Sequence, residues 1–275
     1  MSGQLNPAED FTQVLQPLDI GGHKLSFQLG PLDMSINRVV VYLFLAAVAT
    51  AVICIGLSKV ARMLPGRKQA AWEGLYEYVR DILVGAVMPG GAAASWFPYI
   101  ASLFLFIMIS NLMGLIPLPF DLAAGFHNIP EFKTYSATAN INVTVALALL
   151  TFVLTHYAGM RANGVLKYFK GWMPSTAPPV LKQVLFGLHG ISEIFRIVSL
   201  SVRLFANMAS GELVRMVFYT MILLIQSWAI AVLILPMEVS VIVVSAFEIF
   251  VALIQAYIFA ILSAVYIGGA IHQEH

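Results

Sequence analysis

Long apolar runs alternate with short polar stretches along most of the chain. A run of about 20 apolar residues is long enough to cross the roughly 30 Å of hydrocarbon in a bilayer as a helix. The pattern therefore predicts an all-α integral membrane protein with five membrane-embedded segments. Their expected bounds are 39–57, 96–116, 141–157, 181–228 and 229–271.

The last two segments are much longer than the others. A continuous helix over either of them would reach about 60–70 Å, twice the hydrocarbon thickness. A long, steeply tilted helical hairpin accommodates such lengths, so we expect the last two segments to form one. The chain shows no internal repeat that would suggest two inverted halves.

The stretches outside the apolar runs predict the orientation. Residues 69–87 mix apolar and charged residues at helical spacing, which predicts an amphipathic helix on the cytoplasmic face. Cations at 59–68 and 161–170 follow the first and third spans, and the positive-inside rule places these loops and the C-terminus in the cytoplasm. Residues 1–35 lack a signal-peptide pattern, so we expect a loosely ordered external segment before a single helical membrane domain at 36–275.

The composition agrees with a membrane protein and excludes several other classes. Of the 275 residues, 60% are hydrophobic and 11% are charged, and the mean hydropathy is +0.86. The net charge of +1 gives no indication of nucleic-acid binding. Because Cys54 is the single cysteine, no disulfide can form within the chain. No metal-ligand cluster or glycine-rich phosphate loop is present in the sequence, so no cofactor is expected.

Arg203 lies inside one of the most apolar stretches of the chain. An arginine at the centre of a membrane helix costs roughly 2.5–3.5 kcal/mol on translocon scales, so we expect a role that offsets this cost. At helical spacing, several polar residues share its face to within about 40°, whereas Glu212 points to the opposite face. The residues predicted to form this stripe are Arg196, Ser199, Asn207 and Ser210.

The last segment carries a second polar stripe. Glu248, Gln255 and Tyr266 are seven and eleven residues apart, so they lie on one helix face. In an antiparallel hairpin Gln255 can lie level with Arg203, and Glu248 can lie level with Glu212. This arrangement predicts one cation at mid-depth and two carboxylates nearer the external side.

Local ion pairs are the alternative to a functional polar site. Glu193 and Arg196 are three residues apart, as are Glu212 and Arg215, so each pair can form within one helix without a further function. Glu238 follows a proline near the external turn, where it can be solvated or can line an inlet.

Residues 199–213, SLSVRLFANMASGEL, resemble the signature of subunit a of F-type ATP synthases, the stationary proton-channel subunit beside the rotating c-ring. Three further pieces agree with this resemblance and occur in the same order along the chain. They are 111–117 (NLMGLIP), 140–144 (NINVT) and 255–259 (QAYIF), the last followed by Tyr266.

The resemblance implies a role for each polar residue. Arg203 would face the carboxylate of each c-subunit, with Asn207 and Gln255 beside it. Glu212 would belong to the outer half-channel. The family often pairs a carboxylate at one of the positions of Glu212 and Glu248 with a histidine at the other, whereas this chain has glutamate at both. Other residues that could line a channel are Ser199, Ser210, Glu238, Asn140 and Asn142.

The predicted function is therefore that of a stationary proton-translocating subunit with two offset half-channels. Arg203 would deprotonate the c-ring carboxylate and block a proton leak, because arginine keeps its own proton. The resemblance also implies that the chain is not catalytic alone. Its partners would be the c-ring, peripheral-stalk b-type subunits and lipid, in an energy-coupling membrane such as the bacterial inner membrane. Two alternatives stay open, a secondary transporter that binds an anionic substrate at Arg203 and a purely structural membrane anchor.

Overall fold

The structure is a computed structural model that is mainly helical over the residues it describes. These residues are 19–20, 23–24, 28–29, 32–33, 37–59, 66–88, 91–115, 136–173, 178–224 and 234–272. The first eight of them form four two-residue strands, β1 to β4, which pair as two antiparallel ladders, β1 with β2 and β3 with β4. The sequence pattern did not predict these short pairs.

Helices account for most of the remaining described residues. The α-helices are α1 Arg38–Lys59, α2 Arg67–Glu77, α3 Gly91–Leu115, α4 Ile141–Asn163, α5 Val165–Lys170, α6 Pro179–Leu224 and α7 Ile234–Ile271. A π-helix, Tyr78–Gly85, continues directly from α2, and a short 3₁₀ turn, Ala137–Ala139, precedes α4.

Five of these helices, α1, α3, α4, α6 and α7, are long and apolar enough to cross a membrane, which confirms the predicted fold class. The amphipathic helix is also present, but its second half winds as a π-helix rather than an α-helix. That half buries Val79, Leu83 and Val84 while Ile82 stays exposed. One side of the element is therefore packed and the other faces outward, as its sequence pattern requires.

Two spans have an end that differs by about five residues or more from the sequence-based expectation, and the expected junction of the last two segments at 228–229 lies outside the described residues. Helix α3 begins at Gly91, before the expected start at 96, because the alanines that follow Gly91 favour a helix without being strongly apolar. Helix α4 continues past 157 to Asn163, and it stops where Gly164 adopts a φ of +80°. This left-handed conformation is readily available only to glycine, so the helix ends there.

The chain divides into two compact units, which are described separately. The first unit comprises Met1–Ala51, Phe106–Asn140 and Ala206–Ile254, and the second comprises Val52–Leu105, Ile141–Phe205 and Gln255–His275. In the second unit the core face of α7 is rich in small residues, which allow neighbouring helices to approach closely. Its fully buried residues in this unit include Ala256, Phe259, Ala260, Ser263, Ala264 and Ile267.

Candidate functional site

A cavity of about 270 Å³ in the first unit contains both predicted carboxylates, Glu212 of α6 and Glu248 of α7. From the sequence we expected these two residues to lie level with each other, and both line this one cavity. We call this space the carboxylate cavity. It is lined by Leu115, Ser136, Asn207, Met208, Ser210, Gly211, Glu212, Val214, Val244, Phe247, Glu248 and Val251.

Helical periodicity explains which residues of α7 reach the carboxylate cavity. The lining positions 244, 247, 248 and 251 follow the spacing of one helix face. On α6, Gly211 leaves room for the Glu248 side chain: a Cβ atom at this glycine would lie 2.9 Å from Glu248 Oε1 and 3.0 Å from its Cδ. The missing side chain of Gly211 therefore lets the carboxylate of Glu248, which is only 8% exposed, lie directly against α6.

A chain of hydroxyl and amide groups begins at the wall of the carboxylate cavity. Thr138 Oγ1 donates to Asn111 Oδ1 at 2.6 Å, and Asn111 Nδ2 donates to the carbonyl oxygen of Ala252 at 3.3 Å. Ser136 Oγ lies 2.8 Å from Thr138 Oγ1, a pair in which either hydroxyl can donate, and it also donates to the Ser110 carbonyl oxygen at 3.4 Å. Ser136 lines the cavity, so its oxygen can still accept a hydrogen bond from that side.

Two buried amide groups match the polar positions named in the sequence. Asn207 lines the carboxylate cavity, and its Nδ2 atom is buried without a hydrogen-bond partner among the described residues. Gln255 belongs to the second unit and is 4% exposed, and its Nε2 atom is likewise without a partner in the described part of the chain. Both side chains therefore have unused hydrogen-bonding capacity. Leaving a buried amide group without a partner costs about 1–3 kcal/mol.

Arg203 lies on an exposed side of α6. Its neighbours on the helix, Leu200 and Leu204, turn inward and are 3% and 0% exposed. Arg203 forms no ion pair or hydrogen bond with any residue that the structure describes. Since a guanidinium does not lose its proton at accessible pH, a permanent cation is presented on a surface that the described chain leaves uncovered.

Arg196 was expected on the same stripe as Arg203, but its side chain is 32% exposed and is bound by partners in the second unit. Arg196 Nη1 lies 2.8 Å from Glu193 Oε1, as the local ion-pair alternative predicted. The Arg196 guanidinium also stacks on the ring of Tyr266, with its Cζ atom 4.1 Å from the ring centroid. Tyr266 therefore lies with Arg196 in the second unit, and we call Glu193, Arg196 and Tyr266 the arginine cluster.

The arginine cluster is enclosed by further side chains of the second unit. His189 Nε2 lies 3.5 Å from Glu193 Oε1, and the His189 ring packs against Trp172 with centroids 4.5 Å apart. Burial raises the pKa of the nearby Tyr168 hydroxyl, and the negative charge of Glu193 raises it further. The space left between the cluster and helix α4 is only about 10 Å³, close to the minimum for one water molecule.

The other residues predicted to line a channel lie at different places in the structure. Ser210 lines the carboxylate cavity and donates to the Asn207 carbonyl oxygen at 3.0 Å, whereas Ser199 is exposed on α6. Asn140 and Asn142 lie outside the cavity lining, at the C-terminal end of the 3₁₀ turn and in the first turn of α4. The side chains of Glu238 and Arg215 lie outside the described part of the chain.

Ser136, Thr138 and Gly211 are site residues that the sequence analysis missed. The signal was weak, because small polar residues next to a span are common and a glycine within an apolar helix does not by itself indicate a site. Asn111 was noted as part of a motif, but its hydrogen bonds to Thr138 and Ala252 depend on tertiary packing. Among the described residues, no group of three or more potential ligands is positioned to hold a metal ion.

The fold and the site together define an all-α, multi-pass membrane protein with charged side chains inside its spanning helices. Comparison with known proteins then gives the family. The family described as ATP synthase A chain matches residues 39–268, and the chain belongs to it. It is an integral membrane, proton-translocating component of ATP synthase that is not catalytic alone.

Curated relatives match almost the whole chain. ATP synthase subunit a of Rubrobacter xylanophilus is 37% identical over 252 residues, which cover 91% of this chain and 90% of the relative. The subunit a of Nitrobacter winogradskyi is 32% identical over 274 residues, covering 98% and 100%. That of Gluconacetobacter diazotrophicus is 35% identical over 252 residues, covering 91% and 90%. Membership of this family replaces the two alternatives, a secondary transporter and a purely structural membrane anchor.

Proposed function

We propose that this chain is the stationary part of the proton path in a rotary ATP synthase. In this proposal a ring of c-subunits turns against the exposed side of α6 and brings one carboxylate after another to Arg203. The observation that carries the proposal is the exposed guanidinium, which has no counter-charge among the described residues. Its neighbours Val198 and Val202 are 49% and 45% exposed, so the surrounding surface is apolar, as contact with another membrane helix requires.

The chemistry follows from the fixed charge. A carboxylate that travels through hydrocarbon must be neutral, because the ionised form is too costly there. Beside Arg203 the ionised form is favoured, since an opposite charge within a few ångströms stabilises it. Each rotor carboxylate thus releases its proton on reaching Arg203 and takes up another before it returns to the lipid. The arginine keeps its own proton, so no proton leaks past it.

The carboxylate cavity forms the outer half-channel in this proposal. Its volume of about 270 Å³ has room for several water molecules, which can bring protons to Glu212 and Glu248. Two ionised carboxylates in one cavity repel each other, and a single shared proton relieves this repulsion. The Asn207 amide and the Ser136 hydroxyl then provide fixed polar groups along the wall.

The inner half-channel starts on the N-terminal side of Arg203 along α6, so the two half-channels are offset and the ring has to rotate between them. We further propose that residues 1–35 lie outside the cell, that the C-terminus lies in the cytoplasm and that the bacterial inner membrane holds the complex. Peripheral-stalk b-type subunits would hold the chain still against the turning ring.

The decisive experiment is Arg203→Ala in the assembled complex, measured as ATP-driven proton pumping in inverted membrane vesicles. We expect pumping to fall to background, because no fixed charge would then remain to ionise the rotor carboxylate. Arg161→Gln is the matched control, since it removes an exposed arginine at the end of α4 and should leave pumping unchanged. Sustained pumping by Arg203→Ala, with the complex assembled, contradicts the proposal.

A further inference from the structure

Two arginines on α6 differ sharply in their surroundings although they belong to the same unit. Arg196 and Arg203 are seven residues apart, which corresponds to about 20° around the helix and roughly 10 Å along it. Helical geometry alone would put both guanidinium groups on one side. Instead, Arg196 is bound by Glu193 and Tyr266, while Arg203 is exposed.

We propose that Glu193 and Tyr266 are positioning residues that hold Arg196 away from the rotor-facing surface. The rotor carboxylate then meets one cation, Arg203, and does not meet a second cation seven residues away on the same helix. This inference rests on the proposed function of Arg203. It assigns a role in the mechanism to residues that do not themselves touch the rotor.

The geometry of the arginine cluster supports this role because two different surfaces of the guanidinium are occupied. The Glu193 carboxylate accepts from the Nη1 edge at 2.8 Å, and the Tyr266 ring covers the planar face at 4.1 Å. The partners come from different helices, α6 and α7, so the guanidinium is held between them. The Glu193 side chain is 7% exposed and the Arg196 side chain is 32% exposed, so solvent screens this ion pair less than it screens a pair at the surface.

Release of Arg196 would have a specific consequence. An arginine side chain is long and flexible, and a charged head inside a membrane helix turns toward the nearest polar group. The nearest group of that kind on the rotor-facing surface would be the ionised rotor carboxylate. A second cation roughly 10 Å from Arg203 would stabilise the ionised carboxylate at the wrong level and delay rotation.

A competing explanation would make Glu193 a proton carrier of the inner half-channel. Both explanations predict that Glu193→Gln impairs pumping, so the single variant does not separate them. They differ for the double variant Glu193→Gln with Arg196→Gln. If Glu193 only restrains Arg196, then removing Arg196 makes the restraint unnecessary and pumping returns. If Glu193 carries protons, the double variant stays as defective as the single one.

The experiment measures ATP-driven proton pumping by the assembled complex in inverted vesicles, for the two single variants and the double variant. We expect Glu193→Gln to lose about fivefold, Arg196→Gln to stay near wild type, and the double variant to recover most of the loss. Normal pumping by Glu193→Gln overturns the inference, and so does a double variant that is no better than Glu193→Gln.

Substitutions of Tyr266 keep the inference testable if Glu193→Gln does not assemble. Tyr266→Phe retains a ring for the guanidinium to stack on, whereas Tyr266→Leu does not. We expect the leucine variant to pump about twofold to threefold less than the phenylalanine variant, and this difference should vanish when Arg196 is also replaced by glutamine. Equal pumping by both variants overturns the inference.

Arg203→Ala in the same vesicles separates this inference from the proposed function. If that variant pumps, the proposed function fails and the inference fails with it. If it does not pump but Glu193→Gln behaves as wild type, the inference fails and the proposed function stands.

Discussion

The arginine cluster and the carboxylate cavity are both charged sites inside membrane helices, yet they are built in opposite ways. In the arginine cluster a carboxylate, a guanidinium and an aromatic ring contact one another, and only about 10 Å³ remains beside them. In the carboxylate cavity two groups of like charge, Glu212 and Glu248, share about 270 Å³. The first arrangement leaves space for one water molecule at most, and the second has room for several.

This difference indicates which charges hold structure and which are available for transfer. A buried carboxylate held by an arginine is expensive to disturb, because removing one partner leaves the other charge uncompensated. Carboxylates that line a cavity with room for several water molecules can exchange protons with those molecules. In the two proposals above, the same residue type, glutamate, therefore takes a positioning role at 193 and a transfer role at 212 and 248.

The largest effect that can test this comparison is expected from Glu248→Gln in the carboxylate cavity. Glutamine has nearly the same shape but cannot carry a proton, so proton flux through the assembled complex should fall by about tenfold or more. Glu212→Gln should behave similarly. The double variant should be little worse than either single variant, because two groups that act as one unit lose their function together.

The measurement is passive proton flux and ATP-driven pumping across a range of pH values. Unlike Glu193→Gln, the Glu248→Gln defect should not be relieved by Arg196→Gln. If flux through Glu248→Gln is unchanged at every pH, then the carboxylate cavity does not transfer protons through Glu248. The contrast between the two sites would then be lost.

The sequence predicted the cavity better than the arginine cluster, for a physical reason. The level alignment of Glu212 and Glu248 depends only on helical rise and an antiparallel hairpin, both of which are regular. The direction of Arg196 depends on its long side chain and on whether partners are near enough to bind it. Glu193 is visible in the sequence as an i, i+3 partner, but Tyr266 is seventy residues away and becomes a partner only through tertiary packing.

The fold, too, combines features that the sequence predicts with features that only tertiary packing decides. Five spans were evident because apolar length is a strong signal, whereas their ends depend on residues that are neither clearly apolar nor helix-breaking. The hydrogen bonds of Asn111 with Thr138 and with Ala252 could not be foreseen, because the partners are 27 and 141 positions away along the chain. The terminal strand pairs were missed because each strand has only two residues.

A smaller effect is expected from Gly211→Ala, which fills space in the cavity without removing a charge. The new Cβ atom would lie 2.9 Å from Glu248 Oε1, so the carboxylate has to move away from α6. We expect a loss of about threefold in proton flux with normal assembly, because alanine favours a helix more than glycine does. Pumping in inverted vesicles and the yield of purified complex measure the two quantities.

Gly187→Ala is the control for Gly211→Ala. Gly187 lies on the same helix, and a Cβ atom at this position would meet no atom within 4 Å. It shares any gain in helix propensity but should leave flux unchanged. Equal flux losses in the two variants would show that the effect belongs to α6 in general. A loss confined to Gly211→Ala ties the flux to the position of the Glu248 carboxylate.

The smallest effect is expected where an ion pair lies in solvent, at Arg80 and Asp81 of the π-helix. Arg80 Nε lies 2.8 Å from Asp81 Oδ1, the same separation as between Arg196 and Glu193, but the side chains are 52% and 59% exposed. The hydrogen bond from Arg80 lowers the pKa of the Asp81 carboxyl, so any stability it adds is present at neutral pH and is lost as the pH falls through that lowered pKa.

Solvent and salt screen such a pair, and its contribution to stability is therefore small. We expect Asp81→Asn to leave the melting temperature of the assembled complex and its proton pumping unchanged at neutral pH, in low or high salt. Glu193→Gln, which breaks a pair of equal length whose side chains are less exposed, at 32% and 7%, should differ from it in pumping. If Asp81→Asn clearly lowers the melting temperature or the proton pumping at low salt, then distance rather than burial decides what an ion pair contributes here.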